Sequence, residues 1–126
     1  MKPAFDRVNI HELALERVVA HGGAGTILFR RLAGAGELAG ACNFIDLAIV
    51  PPGCSIGRHR HAPDEEEFYL VLAGSGWMWR DGREHRVSAG DLIRNPPGGA
   101  HGLSNDGEHD LRLFVFEVKS TATAES

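Results

Sequence analysis

The chain has 126 residues with 43% hydrophobic side chains, the size of one ordinary domain with its own core and too apolar for a disordered chain. The formal net charge is -4, and Lys and Arg are scattered, so the basic stripe that marks a nucleic-acid partner is missing. The longest apolar runs, "FYLVLAG" and "LAIVPP", are far short of a membrane span. No signal peptide is evident at the start, and the expectation is a cytoplasmic protein without a membrane partner.

In chain order, "NIHELALERVVAHGG" (9–23) is the one stretch with a helical reading, with Asn9 as a cap and Gly22-Gly23 as the stop. It falls within an N-terminal arm of residues 1–25. "GGAG" (22–25) is too weak to be a phosphate loop, because no helix clearly follows it. Short apolar segments separated by Gly and Pro then predict strands over 26–32, 43–50, 67–72, 76–80, 83–87, 91–95 and 111–118. Asp46 stands in the otherwise apolar strand "NFIDLAIV", placed either to contact a substrate or orient a ligand histidine, or to cap an edge or pair with an arginine outside. Cys42 and Cys54 fit no metal-ribbon spacing and read as reduced thiols. Asp81-Gly82 between "WMWR" and "REHRV" predicts a hairpin turn. The polar tail over 119–126 is expected to fray. Many short strands at even spacing argue for an all-β sandwich or barrel over 26–118.

The chemistry concentrates in "GRHRHAPDEEEFYLVLAGSG", Gly57 to Gly76. On a strand, side chains alternate faces, so His59 and His61 point the same way. Two imidazoles on one face are half of a metal site, although the same pattern beside acidic residues is also the look of a solvated surface strand. In "EFYLVL", Glu67, Tyr69 and Val71 share one face, and Glu66, Phe68, Leu70 and Leu72 the other. A carboxylate on the Phe68 face would be costly unless paired, and Glu67 beside the single tyrosine suits a polar pocket better. Glu66 remains the alternative.

A second segment, "GDLIRNPPGGAHGLSN", holds a lone histidine after a Pro-Pro-Gly-Gly turn. With it the chain resembles the cupin superfamily, whose second motif, G(X)5PXG(X)2H(X)3N, is matched by Gly90, Pro96, Gly98, His101 and Asn105. The first motif, G(X)5HXH(X)3–4E(X)6G, is matched by Gly53, His59, His61, Glu67 and Gly74. One departure stands out: five residues separate His61 from Glu67, which reads as a loop one residue longer than usual.

The resemblance implies a double-stranded β-helix, or jelly-roll barrel, with one divalent transition metal held by His59, His61, Glu67 and His101. The ligand types suit Fe, Mn, Ni, Co, Cu or Zn without choosing among them. It implies a metal-dependent enzyme acting on a small polar or anionic metabolite by isomerase, cyclase, lyase or dioxygenase chemistry. The alternative is a non-catalytic small-molecule binding or sensing cupin. Tyr69, two residues beyond Glu67, is the candidate catalytic base, with a lowered pKa expected beside the metal; packing is the competing role. A homodimer is expected, with "TILFRRL" or "LRLFVFEV" as the shared sheet. Arg94, Trp77 and Trp79 are placed either in the pocket or at an interface, and His11, His21, His85 and His109 are read as surface residues.

Overall fold

A computed structural model describes residues 5–119. It contains ten strands and, among the described residues, no helix: β1 (Glu16–Val18), β2 (Ile27–Ala33), β3 (Cys42–Val50), β4 (Ser55–Arg60), β5 (Glu65–Ala73), β6 (Ser75–Arg80), β7 (Arg83–Ser88), β8 (Leu92–Asn95), β9 (Ala100–Ser104) and β10 (Leu111–Lys119). They form a six-stranded sheet in the order β1-β2-β3-β10-β5-β8 and a four-stranded sheet in the order β4-β9-β6-β7. All pairings are antiparallel. Each predicted strand is present within a residue or two of its expected limits. β1, β4 and β9 are additional, and the expected tail lies outside the described residues apart from Lys119.

Alternation sets the core. On β10, Leu111, Leu113, Val115 and Glu117 point inward, and on β5, Glu67, Tyr69 and Val71 do the same. The inward apolar residues pack with Ile27, Val50, Met78, Val87 and Leu103 from both sheets. Asp81 and Gly82 have φ of 45° and 86°, the conformation a tight β6–β7 hairpin requires. Pro96 to Gly99 close a second turn, with Gly99 N–H donating to the Pro96 carbonyl at 3.1 Å, and this turn delivers His101 on β9. Cys42 and Cys54 are free thiols.

The expected helix over 9–23 is not formed. Asn9 does cap locally, accepting from His11 N–H at 2.9 Å, but only a single turn follows, with Glu12 N–H donating to the Asn9 carbonyl. Pairing with β2 wins instead: Glu16, Arg17 and Val18 align with Phe29, Leu28 and Ile27. Val18 and Ala20 thereby pack on the core, and β-branched Val18 and Val19 suit an extended strand better than a helix. A further correction concerns assembly. β10 lies between β3 and β5, and β2 between β1 and β3, so neither has an open edge for a shared sheet.

Candidate metal centre

The two sheets bring His59 from β4, Glu67 from β5 and His101 from β9 together with His61, just past β4. One ligand atom from each of the four lies within 4.8 Å of every other. His59 pairs with His101 across the β4–β9 ladder, and the two rings meet at 4.5 Å. Glu67 Oε1 is 2.8 Å from His101 Nε2 and 3.1 Å from His61 Nε2. Glu67 therefore faces the imidazoles, while Glu66 points to the other side and pairs with Arg94.

Outer contacts orient two of the rings. His59 Nδ1 lies 2.8 Å from the Gly57 carbonyl, and His61 Nδ1 lies 2.8 Å from Glu117 Oε1. Each contact leaves Nε2 turned toward the cluster, as a metal-ligating imidazole requires. Glu117 is in turn held by Asn43 Nδ2 at 3.0 Å. Three convergent imidazoles and one buried carboxylate fit a divalent transition ion.

The electrostatics divide that donor set, since His59 and Glu67 are held in their ligating states whereas carboxylates favour a protonated His61. Burial, only partly offset by the Gly57 carbonyl, lowers the His59 pKa to about 4, so its ring is neutral near pH 7. His61 is raised, chiefly by its contact with Glu67. Burial would push the Glu67 carboxyl up, but His101 and His61 outweigh it and hold the group at about 2. Tyr69 runs against expectation. Burial first, then the charge of Glu67, push its hydroxyl well above the usual value, so the protein's own field keeps it protonated. Its oxygen lies 3.3 Å from His101 Nε2.

Above the cluster opens a cavity of about 560 Å³. Its lining includes His59, His61, Glu67 and Tyr69 together with three groups that sequence reasoning missed or left open. Arg31 grips Asp46 with two bonds of 2.8 and 3.0 Å, and its guanidinium lies 4.4 Å over Phe44. Burial raises the Asp46 pKa against this pairing. Asp46 therefore takes the arginine-paired role, but inside the cavity. His21, expected on the surface, stacks on His59 with ring centroids 3.5 Å apart and also lines the cavity. Glu117 is the third group. Its inward place was legible from the alternation Leu111, Leu113, Val115, Glu117, whereas nothing local marks His21.

Trp77 and Trp79 lie elsewhere, on the outer face of the small sheet. Trp77 donates to Asp106 at 2.8 Å, and Trp79 carries the Arg58 guanidinium at 4.3 Å. Arg94 also points away from the metal cluster, to Glu66.

Two antiparallel sheets closed around a three-histidine, one-carboxylate cluster define a small β-barrel with a site of metal-ligand type in its interior. The chain belongs to the cupin family: residues 46–117 match the family described as cupin domain. It is 30% identical over 112 residues to an oxalate-binding protein of Thermotoga maritima, covering 88% of this chain and 92% of that one. It is 34% identical over 96 residues to the dimethylsulfoniopropionate lyase DddW of Ruegeria pomeroyi, covering 73% of this chain and 62% of the lyase. The crystal structure of a Thermotoga maritima protein described as a predicted oxalate decarboxylase superposes with a TM-score of 0.85 at 27% identity, over 90% of this chain and 99% of the other.

Proposed function

We propose that the protein is a metal-dependent enzyme acting on a small carboxylate. The observation that carries this is one cavity lined by the His59, His61 and Glu67 side chains and by a clamped guanidinium, Arg31. Both relatives bind or act on carboxylates by name, and oxalate and dimethylsulfoniopropionate are each small enough for such a cavity. His59, His61, Glu67 and His101 would hold one divalent ion, which supplies Lewis acidity and positive charge for an anionic ligand. Asp46 and Phe44 fix the guanidinium, and its Nη1 has no protein partner among the described residues, so it can receive a carboxylate oxygen. Tyr69 sits beside His101 as the group that moves a proton at the substrate, with its hydroxyl oxygen as the exchanging atom. Ile27, Ala48 and Val115 form an apolar part of the cavity wall near it.

The second reading is a carboxylate-binding cupin without turnover. It is favoured by the binding-protein relative and by the protonated state in which burial holds Tyr69. One experiment separates the two. The protein is loaded in turn with Mn2+, Fe2+, Ni2+, Co2+, Cu2+ and Zn2+, and NMR follows a panel of carboxylates containing oxalate and dimethylsulfoniopropionate. Turnover that disappears in His59→Ala and His101→Ala supports the enzyme. Binding without turnover under every metal selects the second reading, and no binding at all ends both. The protein forms a homodimer in this reading, through β1 or β8 at the ends of the large sheet. Light scattering that gives a monomer mass would remove it.

A further inference from the structure

Among the described residues, three buried side-chain polar atoms lack a hydrogen-bond partner: His101 Nδ1 and both amide atoms of Asn95. The two residues are 1% and 2% exposed, so solvent does not satisfy them. Asn95 ends β8, where alternation turns Leu92 and Arg94 outward and Ile93 and Asn95 inward. It is the cross-strand partner of Glu67, whose carboxylate lies 2.8 Å from His101 Nε2. Opposed residues on a sheet have their Cβ atoms about 4.5–5.5 Å apart, which stands the Asn95 amide beside the Glu67 side chain. Asn95 and His101 also line one cavity, together with Pro96 and Gly99. His59 and His61 have their Nδ1 atoms held, by Gly57 and Glu117. His101 alone of the three has no such hold.

We propose that Asn95 is a positioning residue for His101, its side-chain carbonyl accepting the Nδ1–H when Nε2 is given to a metal ion. As the ring now stands, Nε2 faces Glu67 Oε1, and a neutral imidazole has one proton to place. With that proton on Nε2 for the Glu67 contact, Nδ1 would carry only a lone pair. Ligation uses the lone pair of Nε2, so the proton must reside on Nδ1, a buried atom that has no protein acceptor among the described residues. A ligating histidine donates this second N–H to an acceptor, which fixes its tautomer and orientation. Asn95 carries a carbonyl that can accept it, and because neither amide atom bonds Nδ1 as the side chains stand, the amide has to turn toward the ring when the metal is bound. This accounts for an unpaired amide at an inward position next to Ile93, where an apolar side chain would avoid the cost of burying a polar group.

The inference rests on the metal-binding reading, and its test separates the two. Ni2+ affinity is measured by competition with a chromophoric chelator, alongside thermal melts of the chelated protein. Wild type should bind one ion tightly, and His101→Ala should bind far more weakly. Asn95→Leu, close to asparagine in shape, should lose roughly 10–100-fold in affinity. Its metal-free melting temperature should hold or rise, because an unpaired buried amide has been removed. Asn95→Asp, which keeps an acceptor oxygen, should stay within about threefold of wild type or bind more tightly, again by the logic of an outer acceptor. If Asn95→Leu does not fold, Asn95→Ala takes its place in the same comparison. Wild-type affinity in the variant lacking the amide overturns the inference and leaves the metal site standing. Equal losses in the Leu and Asp variants also overturn it, since packing alone would then explain both. A wild-type chain that binds no Ni2+ removes the metal site and the inference together.

Discussion

A carboxylate as buried as Glu67, 5% exposed, is tolerated only when paired, and here two imidazoles supply the pairing. Its neighbour Glu66 is spent on Arg94 at the opposite face. Glu67→Gln should therefore reduce metal affinity by at least 10-fold, while Glu66→Gln should change it by less than about threefold, as expected for ligands against partnered surface groups. Isothermal titration with Ni2+ decides this, and the reverse ranking would shift the site by one residue. Tyr69 has a corresponding test. Tyr69→Phe keeps the ring but removes the exchangeable proton, so turnover should drop roughly 10²–10⁴-fold with metal content unchanged. A packing role predicts little effect from Phe and a real cost from Ala. At this scale the sequence was legible where strand alternation applied, as for the inward side chain of Glu67 and the outward one of Glu66. It was not legible for Tyr69's ionisation, because full burial beside a carboxylate is a tertiary property.

Strand existence could be read from the apolar segments, but pairing partners could not. "NIHELALERV" carries helix-forming residues, yet hydrogen bonds to β2 and burial of Val18 outweigh that local preference. The segment then turns over Ala20–Gly23, with His21 at φ 51° and Gly22 at φ 67°, and Gly57 N–H donates to the Ala20 carbonyl at 2.9 Å. A Cβ on Gly57 would lie 2.0 Å from the His21 carbonyl oxygen, and backbone on both sides prevents an easy retreat. Glycine at 57 is thus what lets the arm close over β4 and lay His21 on His59. Gly57→Ala should lower the melting temperature by several degrees, in line with about 1–3 kcal/mol for overpacking. It should also free the His21 ring, which histidine NMR would register as loss of its stacked environment. An unchanged melting temperature and an unchanged His21 signal would mean that the arm does not dock through this contact. Arg31 and Asp46 illustrate the same limit. They are register partners on β2 and β3, 15 positions apart, and no local pattern announces the pair.

For the whole molecule, the apolar cluster from Ile27 to Val115 is contributed by both sheets and lies outside the four-residue ligand set. The fold accordingly has a core of its own, unlike a zinc finger that forms only around its ion. Chelated protein should unfold in one cooperative transition, and metal at 100 times its Kd should stabilise it by about 2.7 kcal/mol through mass action. The metal-free protein should also be acid-sensitive, with a sign set by two groups of the site. His59 has its pKa lowered from 6.5 to about 4, so the unfolded chain takes up a proton first and stability falls as pH drops from 6.5 toward 4. Glu67 is lowered from 4.5 to about 2, so its contribution is full above 4.5 and is lost as pH falls toward 2. Three groups oppose them: the His61 pKa is raised, so its contribution is full below 6.5 and fades as pH rises through the raised value, and burial raises the Asp46 and Glu117 carboxyls, so each favours the fold more as pH falls through its raised value. Melts of the chelated protein at steps from pH 7 to pH 3 should therefore show a declining midpoint, with the His59 part of the decline absent in His59→Ala. A midpoint that stays level across this range, or a chelated chain with no cooperative transition, would show that the cluster does not hold the charge states assigned to it or that the core does not stand alone.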